Sequence, residues 1–393
     1  MKNTRLTLKF SVVQSLYWTA FCVLASYLTP YYRSLGYDVF MVGVLTMVMS
    51  FSSAIAQPVW GIYCDRSGKL KQSLLISILI SLPFAWLLIS AGRNPLLLIL
   101  SIAVLSATFL SMLAIIDAWV LKLENHGETV NYSLSRGFGS LFFAIAALLF
   151  GRLLDRTGMW VIAPAFIITA ALLAVVTFFI KAPKPEAHHG KGNGSTMKSL
   201  SLLLGNKRFM VLIVSVAVLF TGTGAIDMTF YPVLMKELGG GNTELGIGFF
   251  LMAFSEVPIL FLYTKVAGHF RARTLICFSL FFYILKCLLI ASAPNVTVLI
   301  LAQGLQMLSF GLLLPAAVHY INSITDAQSM VTAQVLYSST TYGLGNVVGS
   351  LAGGAIAKAL GVRPMMYILF SLVLLAFVLF TALSARDNRK TAE

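Results

Sequence analysis

The stretch GIYCDRSGKLK, residues 61–71, stands between two long apolar runs, 39–61 and 72–91. Each run has about 20 residues or more, which is enough for a helix rising about 1.5 Å per residue to cross a hydrocarbon core about 30 Å thick. A helix pairs all its backbone polar groups within the segment, so it is one of the two structures that can span lipid. The stretch therefore predicts the polar turn of a helical hairpin in a membrane.

Similar apolar runs recur along the whole chain of 393 residues, which is 58% hydrophobic and 11% charged, with a mean hydropathy of +0.88. Soluble globular domains carry about 25% charged residues, so this composition is that of a polytopic membrane protein. The first run is too long, and its flank too poor in small residues, for a removable signal peptide. The predicted spans, numbered one to twelve in chain order, are residues 10–31, 39–61, 72–91, 95–121, 133–151, 159–181, 208–233, 245–267, 274–292, 296–322, 331–357 and 363–384. We therefore predict an all-α membrane protein with twelve transmembrane helices.

The net charge of +14 is distributed unevenly about these spans. With the N-terminus inside, 19 of the 28 Lys and Arg residues fall in cytoplasmic segments, 7 fall outside, and two, Arg136 and Lys286, fall within spans. Cytoplasmic loops of membrane proteins carry an excess of Lys and Arg, so both termini are predicted to be cytoplasmic. The basic charge is thus interpreted as a topology signal in a bacterial inner membrane and not as a nucleic-acid surface.

A polar segment rich in Gly, Pro and Lys, KAPKPEAHHGKGNGS at 181–195, interrupts the apolar pattern between spans six and seven. Such a composition cannot form a packed core. It predicts two six-helix bundles, residues 1–181 and 207–393, joined by a cytoplasmic linker at 182–206.

The two predicted bundles also resemble each other in sequence. GFG at 137–139 precedes Gly151, just as GLG at 343–345 precedes Gly354, at corresponding ends of spans five and eleven. Weak internal repeats are common in transporters, so we predict pseudo-symmetric bundles. The alternative is chance similarity among glycine-rich membrane helices.

The stretch at 61–71 resembles the G-x-x-x-D-R-x-G-x-[KR]-[KR] signature of the major facilitator superfamily, with Leu70 where a basic residue is often found. The resemblance implies a transporter in which this turn secures the inner gate. The implied gating residues are Gly61, Asp65, Arg66, Gly68, Lys69 and Lys71. Alternatively, these charges only set the topology.

Ionisable residues inside the spans are the strongest functional signal, because a charge in the hydrocarbon region is costly and tends to face a bundle interior or a water-filled cavity. These residues are Asp117, Arg136, Asp227, Glu256 and Lys286. Asp117 and Arg136 lie at equal distances along the chain from the turn that joins spans four and five. Helical rise then places both about 10 Å above that turn, where they can meet.

The segment Asp117-Ala118-Trp119, followed by Arg136 and Phe143, resembles the acidic–Ala–aromatic segment, paired arginine and stacking aromatic of the lactose permease branch of oligosaccharide–proton symporters. The resemblance implies that Asp117, Trp119, Arg136 and Phe143 bind the substrate. A carboxylate and a guanidinium can bind sugar hydroxyls through charge-assisted hydrogen bonds. The alternative is a purely structural interhelical salt bridge.

Glu256 and Lys286 are symmetric about Arg271, which places both about 20 Å above the turn by helical rise, and we expect them to meet. Glu256 resembles the span-eight glutamate that serves sugar affinity in the symporter branch, and Lys286 stands where that branch carries an arginine. Asp227 resembles a span-seven aspartate whose lysine partner is here Gln303, so the sequence offers Asp227 no evident basic partner.

The chain departs from the symporter branch at the residues that carry the proton. Gln306 and Ser309 stand where that branch has a histidine and a glutamate in span ten, and Thr341 stands near the position of its span-eleven lysine. Neither Gln nor Ser titrates near neutral pH. Any proton coupling therefore falls to Glu256, Asp227 or Asp117, with Glu256 first and Asp227 second, because a partly desolvated carboxylate protonates more readily. The competing hypothesis is a permanent Glu256–Lys286 bridge in a uniporter.

Three function classes remain, and the first is favoured: proton-coupled uptake of a small polar solute such as a sugar, glycoside or nucleoside. The second is efflux of a drug or metabolite, but span five lacks the proline of the efflux branch signature. The third is a non-transporting sensor or scaffold. Phosphate-loop, dinucleotide and metal-ligand motifs are absent from the sequence, and its four cysteines have no metal-like spacing. We thus expect no enzyme, no cofactor and no metal, and a monomer whose partners are the solute, protons and the lipid bilayer.

Overall fold

The computed structural model describes residues 2–125, 130, 132–180, 200–326 and 329–390. Within those ranges the chain is helical apart from short turns and contains no strand. Ten helices of the described part are long and apolar enough to cross a membrane, and helices also occupy predicted spans eight and eleven. The all-α prediction is therefore confirmed for the described residues.

Apolar runs and polar caps account for where the helices begin and end. At the start of span four, the Asn94 side chain accepts hydrogen bonds from the backbone N–H groups of Leu96 and Leu97 at 3.1 and 3.3 Å. Pro95 follows as the first helical residue, where its missing N–H costs nothing.

The α-helices of the first half are Lys2–Phe21, Leu28–Ser34, Val39–Ser67, Leu70–Ser90, Pro95–Leu105, Met112–Asn125, Tyr132–Thr157 and Ile162–Phe178. Those of the second half are Lys207–Thr223, Tyr231–Glu237, Asn242–Ala267, Ala272–Ser292, Val296–Ala302, Phe310–Ile324, Met330–Ser338, Gly345–Leu360 and Val362–Lys390.

Several spans contain a turn of wider or tighter helix. Wide π turns occur in spans one, four, seven and eleven, at Cys22–Ser26, Ser106–Leu110, Gly224–Thr229 and Ser339–Leu344, and a tight 3₁₀ turn, Gln303–Met307, occurs in span ten. Such interruptions rotate the residues that follow and are frequent at functional sites.

The same local features recur in the two halves of the sequence. Spans one and seven each end in a seven-residue helix after their π turn, followed by a glycine with φ of +86° at Gly36 and Gly239. Spans five and eleven are likewise followed by Gly158 and Gly361, with φ of +91° and +93°. Residues other than glycine rarely adopt these angles. The correspondence favours an internal repeat over chance similarity.

Two compact units make up the chain. The first contains residues 1–38, 48–188 and 240–254, and the second contains residues 39–47, 189–239 and 255–393. The start of span eight therefore packs within the first unit, and the start of span two within the second. Residues 181–199, which include most of the predicted linker, lie outside the described residues.

Glycines let helix backbones touch inside each unit. In the first unit, a Cβ on Gly151 would lie 2.3 Å from the carbonyl oxygen of Asn242, and one on Gly246 would lie 2.4 Å from that of Ala147. In the second unit, a Cβ on Gly43 would lie 2.4 Å from the carbonyl oxygen of Ser350. Small residues at such crossings replace side-chain contact by backbone packing.

Candidate functional site

The first unit contains a half-buried polar cluster, called the first cluster, formed by Gln14, Trp18, Asp117 and Arg136. Gln14 and Trp18 are one helical turn apart, and the Trp18 Nε1–H donates to Gln14 Oε1 at 3.1 Å. Gln14 Nε2 in turn donates to Asp117 Oδ1 at 3.1 Å. The Arg136 guanidinium lies over the Trp18 ring, 4.1 Å from its centroid, which is a cation–π contact. The residues that the sequence placed at one depth, Asp117 and Arg136, thus belong to one cluster.

The aromatic residues around the first cluster hold Trp18 in place. Phe143 packs edge-on against Trp18, with ring centroids 6.1 Å apart, and against Phe21 at 6.3 Å. A Cβ on Gly139 would lie 2.5 Å from Trp18 Cδ1. The absence of a side chain at Gly139 is therefore what leaves room for the indole.

The first cluster presents an unused hydrogen-bond donor. Arg136 Nη1 is buried and has no hydrogen-bond partner, which is costly unless a ligand or water supplies an acceptor. Trp119 is 1% exposed and packs edge-on against Phe10 at 5.5 Å, and its Nε1 also has no partner. In this conformation the Trp119 ring belongs to the core, and its predicted role against substrate stays a prediction.

The second unit contains a polar cluster of its own, called the second cluster, formed by Asp227, Glu256, Lys286 and Gln306. Lys286 Nζ lies 2.9 Å from Asp227 Oδ2, and the two side chains are 0% and 10% exposed. The same ammonium donates to Gln306 Oε1 at 2.6 Å. Gln306 Nε2 donates to Glu256 Oε1 at 2.8 Å. The second cluster therefore connects spans seven, eight, nine and ten through one chain of hydrogen bonds.

The expectation that Asp227 has no basic partner is wrong, because Lys286 forms an ion pair with it. Asp227 lies in the π turn Gly224–Thr229, which rotates it away from the direction that uniform helical rise predicts. The long Lys286 side chain then reaches span seven as well as span ten. Lys286 is linked to Glu256 through Gln306. The sequence singles out Gln306 only because it stands where the symporter branch has a titratable residue.

The residues of the predicted gating motif lie at the end of the helix Val39–Ser67. Gly68 has a φ of +67° and ends the helix, with its N–H donating to the Cys64 carbonyl at 2.9 Å. Gly61 has open space around it, and the Lys69 N–H donates to the Ser67 hydroxyl at 3.2 Å. The side chains of Asp65 and Arg66 lie outside the described residues.

Lys71 of the same motif binds the end of span six. Its Nζ donates to the Phe178 carbonyl at 2.5 Å and lies 5.1 Å from the centroid of the Phe178 ring. Phe178 is the last residue of the helix Ile162–Phe178, where a cation interacts favourably with the carbonyl end of the helix dipole. Lys71 therefore has a definite partner within the first unit.

Asp155, at the end of span five, caps the start of span eight. Its carboxylate accepts from the backbone N–H groups of Asn242 and Thr243 at 3.1 and 2.8 Å, and from their side chains at 2.8 and 2.6 Å. The residue before Asn242 is Gly241, which has no side chain to cap the helix Asn242–Ala267. Asp155 thus supplies from another helix the acceptor that an N-cap residue normally provides. Nothing in the sequence near Asp155 signals this role.

The sequence did not identify Gln14, which is 0% exposed, as a member of the site. The signal was an amide in an otherwise apolar span, one turn before Trp18. A search for ionisable residues does not find amides, although a buried amide must also be paired.

The fold and the two clusters define a class of protein: a helical membrane protein with buried, partly unpaired polar groups, as transporters have. A family model described as the MFS_1 like family matches residues 7–383. The chain belongs to this family of the major facilitator superfamily, and it is a multi-pass transporter of the bacterial inner membrane and not an enzyme.

The relatives of this chain are named as transporters of several different kinds. The chain is 28% identical to a maltose permease of Geobacillus stearothermophilus, over 86% of this chain and 84% of the relative. It is 26% identical to the multidrug resistance protein MdtG of Dickeya zeae, over 88% and 86%. Among solved structures, a variant of the nucleoside transporter NupG has a TM-score of 0.82 at 16% identity, covering 96% of this chain and 99% of that one. The Escherichia coli fucose:proton symporter has a TM-score of 0.60 at 13% identity, over 98% and 99%. At these low identities, the similarity to the two solved structures shows a shared fold only.

Proposed function

We propose that this protein is a secondary active transporter that takes up a small polar solute, such as a sugar, a glycoside or a nucleoside, together with protons. It would work by alternating access, with twelve membrane helices, two six-helix bundles and both termini in the cytoplasm. The proposed substrate residues are Asp117, Trp119, Arg136, Phe143, Glu256 and Lys286. Glu256 is the first candidate for the coupling carboxylate and Asp227 the second.

The observation that carries this proposal is the pair of polar clusters, one half-buried and one largely buried, in otherwise apolar helices. The first cluster contains an unpartnered guanidinium N–H beside aromatic rings, which suits a solute with hydroxyl or carbonyl oxygens and a flat apolar face. In the second cluster one ammonium is paired directly with Asp227 and is linked to Glu256 through the Gln306 amide, which suits reversible proton binding. The names of the maltose permease, the nucleoside transporter NupG and the fucose:proton symporter agree with a polar solute.

Transport by the purified protein in proteoliposomes tests the proposal. Radiolabelled maltose and uridine serve as probes, with an acidic exterior imposing an inward proton gradient and a protonophore as the control. We expect at least one probe to accumulate with the gradient and to equilibrate without it. A thermal-shift screen over sugars and nucleosides runs in parallel, because a ligand at a hundred times its Kd stabilises the native state by about 2.7 kcal/mol. Absence of both accumulation and stabilisation across the panel would overturn the proposal.

The second candidate function is efflux of a drug or metabolite, which the likeness to MdtG favours. Against it, the described helix of span five, Tyr132–Thr157, runs without a proline. Cells that express the protein distinguish the two directions. Export predicts less retained ethidium than in cells carrying Arg136→Ala, whereas uptake of a polar solute predicts no difference in ethidium.

A further inference from the structure

The amide of Gln306 is the one described side chain that hydrogen-bonds to both Glu256 and Lys286. Gln306 lies on the 3₁₀ turn Gln303–Met307 of span ten and is 6% exposed. Its Oε1 lies 2.6 Å from Lys286 Nζ, and its Nε2 lies 2.8 Å from Glu256 Oε1. We propose that Gln306 is a positioning residue that transmits the protonation state of Glu256 to Lys286. The inference rests on the proposed function, because it gives proton coupling a route through this chain's own residues.

The chemistry of the three groups permits one orientation of the amide. An ammonium group only donates hydrogen bonds and an ionised carboxylate only accepts them, whereas a primary amide donates from its nitrogen and accepts at its oxygen. If Gln306 turned over, two donors would face each other at Lys286 and two acceptors at Glu256. The observed orientation is therefore matched to a charged Lys286 and an ionised Glu256, and both ends are charge-assisted bonds.

Protonation of Glu256 weakens this arrangement at one end. A neutral carboxyl group accepts a weaker hydrogen bond from Gln306 Nε2 and offers a proton of its own. The amide is then freer to turn, and Lys286 loses the fixed orientation of one of its two acceptors. Asp227 remains, and its Oδ1 is buried without a hydrogen-bond partner. Proton uptake at Glu256 thus shifts Lys286 toward Asp227, although Gln306 itself never carries a proton.

The described titratable groups around the second cluster lie on spans seven to eleven. The charged side chains in the second cluster are Glu256 of span eight, Lys286 of span nine and Asp227 of span seven. Tyr283 of span nine interacts electrostatically with Glu256 and Asp227, and also with Cys287 and with Tyr337 of span eleven. Phenols and thiols are neutral near pH 7. On the side of span ten, Gly311 brings the backbone near Glu256, since a Cβ there would lie 3.6 Å from Glu256 Cγ. His319 packs on Tyr263 with ring centroids 5.4 Å apart.

A direct test is a pH titration of the substrate-free protein in nanodiscs. Infrared difference spectroscopy measures the fraction of protonated carboxyl groups at each pH. The band that disappears in Glu256→Gln belongs to Glu256. We expect Gln306→Leu to raise the pH midpoint of that band by about one unit or more, because a hydrogen bond that favours the ionised form is lost. Gln306→His is expected to restore most of the native midpoint, since a neutral imidazole also donates at one nitrogen and accepts at the other.

Gln303→Leu is the matched control. Gln303 is 0% exposed on the same 3₁₀ turn, and its side chain interacts with Tyr231. Its replacement should leave the Glu256 midpoint unchanged. If Gln306→Leu does not fold, Gln306→Asn replaces it, because the shorter amide cannot reach both partners.

The outcomes separate the inference from the proposed function. A Glu256 midpoint that is the same in Gln306→Leu and in the unmutated protein would overturn the inference, even if proton-driven transport is observed. An equal shift in Gln303→Leu would also overturn it, because the effect would then be one of packing. A shift confined to Gln306, found in a protein that moves no protons, would support the amide link and contradict the proposed function.

Discussion

At the scale of single residues, the chemistry of this protein depends on how buried polar side chains are paired. Lys286 is completely buried and touches both Asp227 and Gln306. Removing one member of a buried ion pair leaves an uncompensated charge, which costs about 3–5 kcal/mol, whereas replacing both members by apolar residues of similar size is often neutral.

Asp227→Leu should therefore lower the melting temperature of the purified protein more than the double variant Asp227→Leu, Lys286→Met. The single variant strands the Lys286 ammonium, and the double variant removes it. Thermal unfolding of both proteins in the same detergent measures the difference. A double variant less stable than the single one would show that the remaining contacts, and not the stranded charge, dominate.

A second residue-scale prediction concerns Gly139. A Cβ at this position would lie 2.5 Å from Trp18 Cδ1. Gly139→Ala must therefore displace the Trp18 indole, over which the Arg136 guanidinium lies. Overpacking of this kind costs about 1–3 kcal/mol. Gly61→Ala is the control, because that helical position has open space around it and alanine favours helix. We expect a lower melting temperature and changed tryptophan fluorescence for Gly139→Ala alone; equal melting temperatures for the two variants would contradict the clash.

At the scale of helices, the sequence predicted where the long apolar helices lie but not the local turns within them. The apolar runs predicted the ten long apolar helices of the described part, because a length of about 20 apolar residues is enough to identify a candidate membrane helix. They did not predict the π and 3₁₀ turns, which change the direction of Asp227 and Gln306 without changing hydropathy. Gln14 and Gln306 were missed as links for another reason: an amide gives no charge signal in a sequence, and its partners come from other helices.

The cap that Asp155 gives to span eight leads to a prediction at this scale. Asp155→Ala should expose the backbone N–H groups of Asn242 and Thr243, at a cost of about 1 kcal/mol for a lost cap. That free energy corresponds to about fivefold faster hydrogen exchange at these two amides. Arg152→Ala, an exposed neighbour on the same helix, is the control. Unchanged exchange in Asp155→Ala would show that water or another residue caps the helix equally well.

At the scale of the whole molecule, the question is whether the second cluster couples protons to solute movement. Glu256 contacts Lys286 through an amide that cannot itself ionise, so a proton that enters the cluster must reside on a carboxylate. Glu256 is half-buried, whereas Asp227 is buried and paired directly with Lys286. A proton on Asp227 would have to break this direct ion pair, which makes Glu256 the first candidate for proton uptake.

Glu256→Gln should abolish accumulation driven by a pH gradient while it retains exchange of labelled for unlabelled solute across the membrane. The neutral amide mimics a permanently protonated carboxyl, so the carrier can still change conformation but cannot release a proton. Glu244→Gln is the matched control, with the same substitution on the same helix, because a glutamine oxygen can also accept the hydrogen bond that the Gly241 N–H donates to Glu244 at 2.8 Å. Both variants are compared in proteoliposomes with whichever solute the unmutated protein accumulates. Accumulation that survives in Glu256→Gln would eliminate Glu256 as the coupling site and leave Asp227, because it is then the remaining carboxylate of the second cluster.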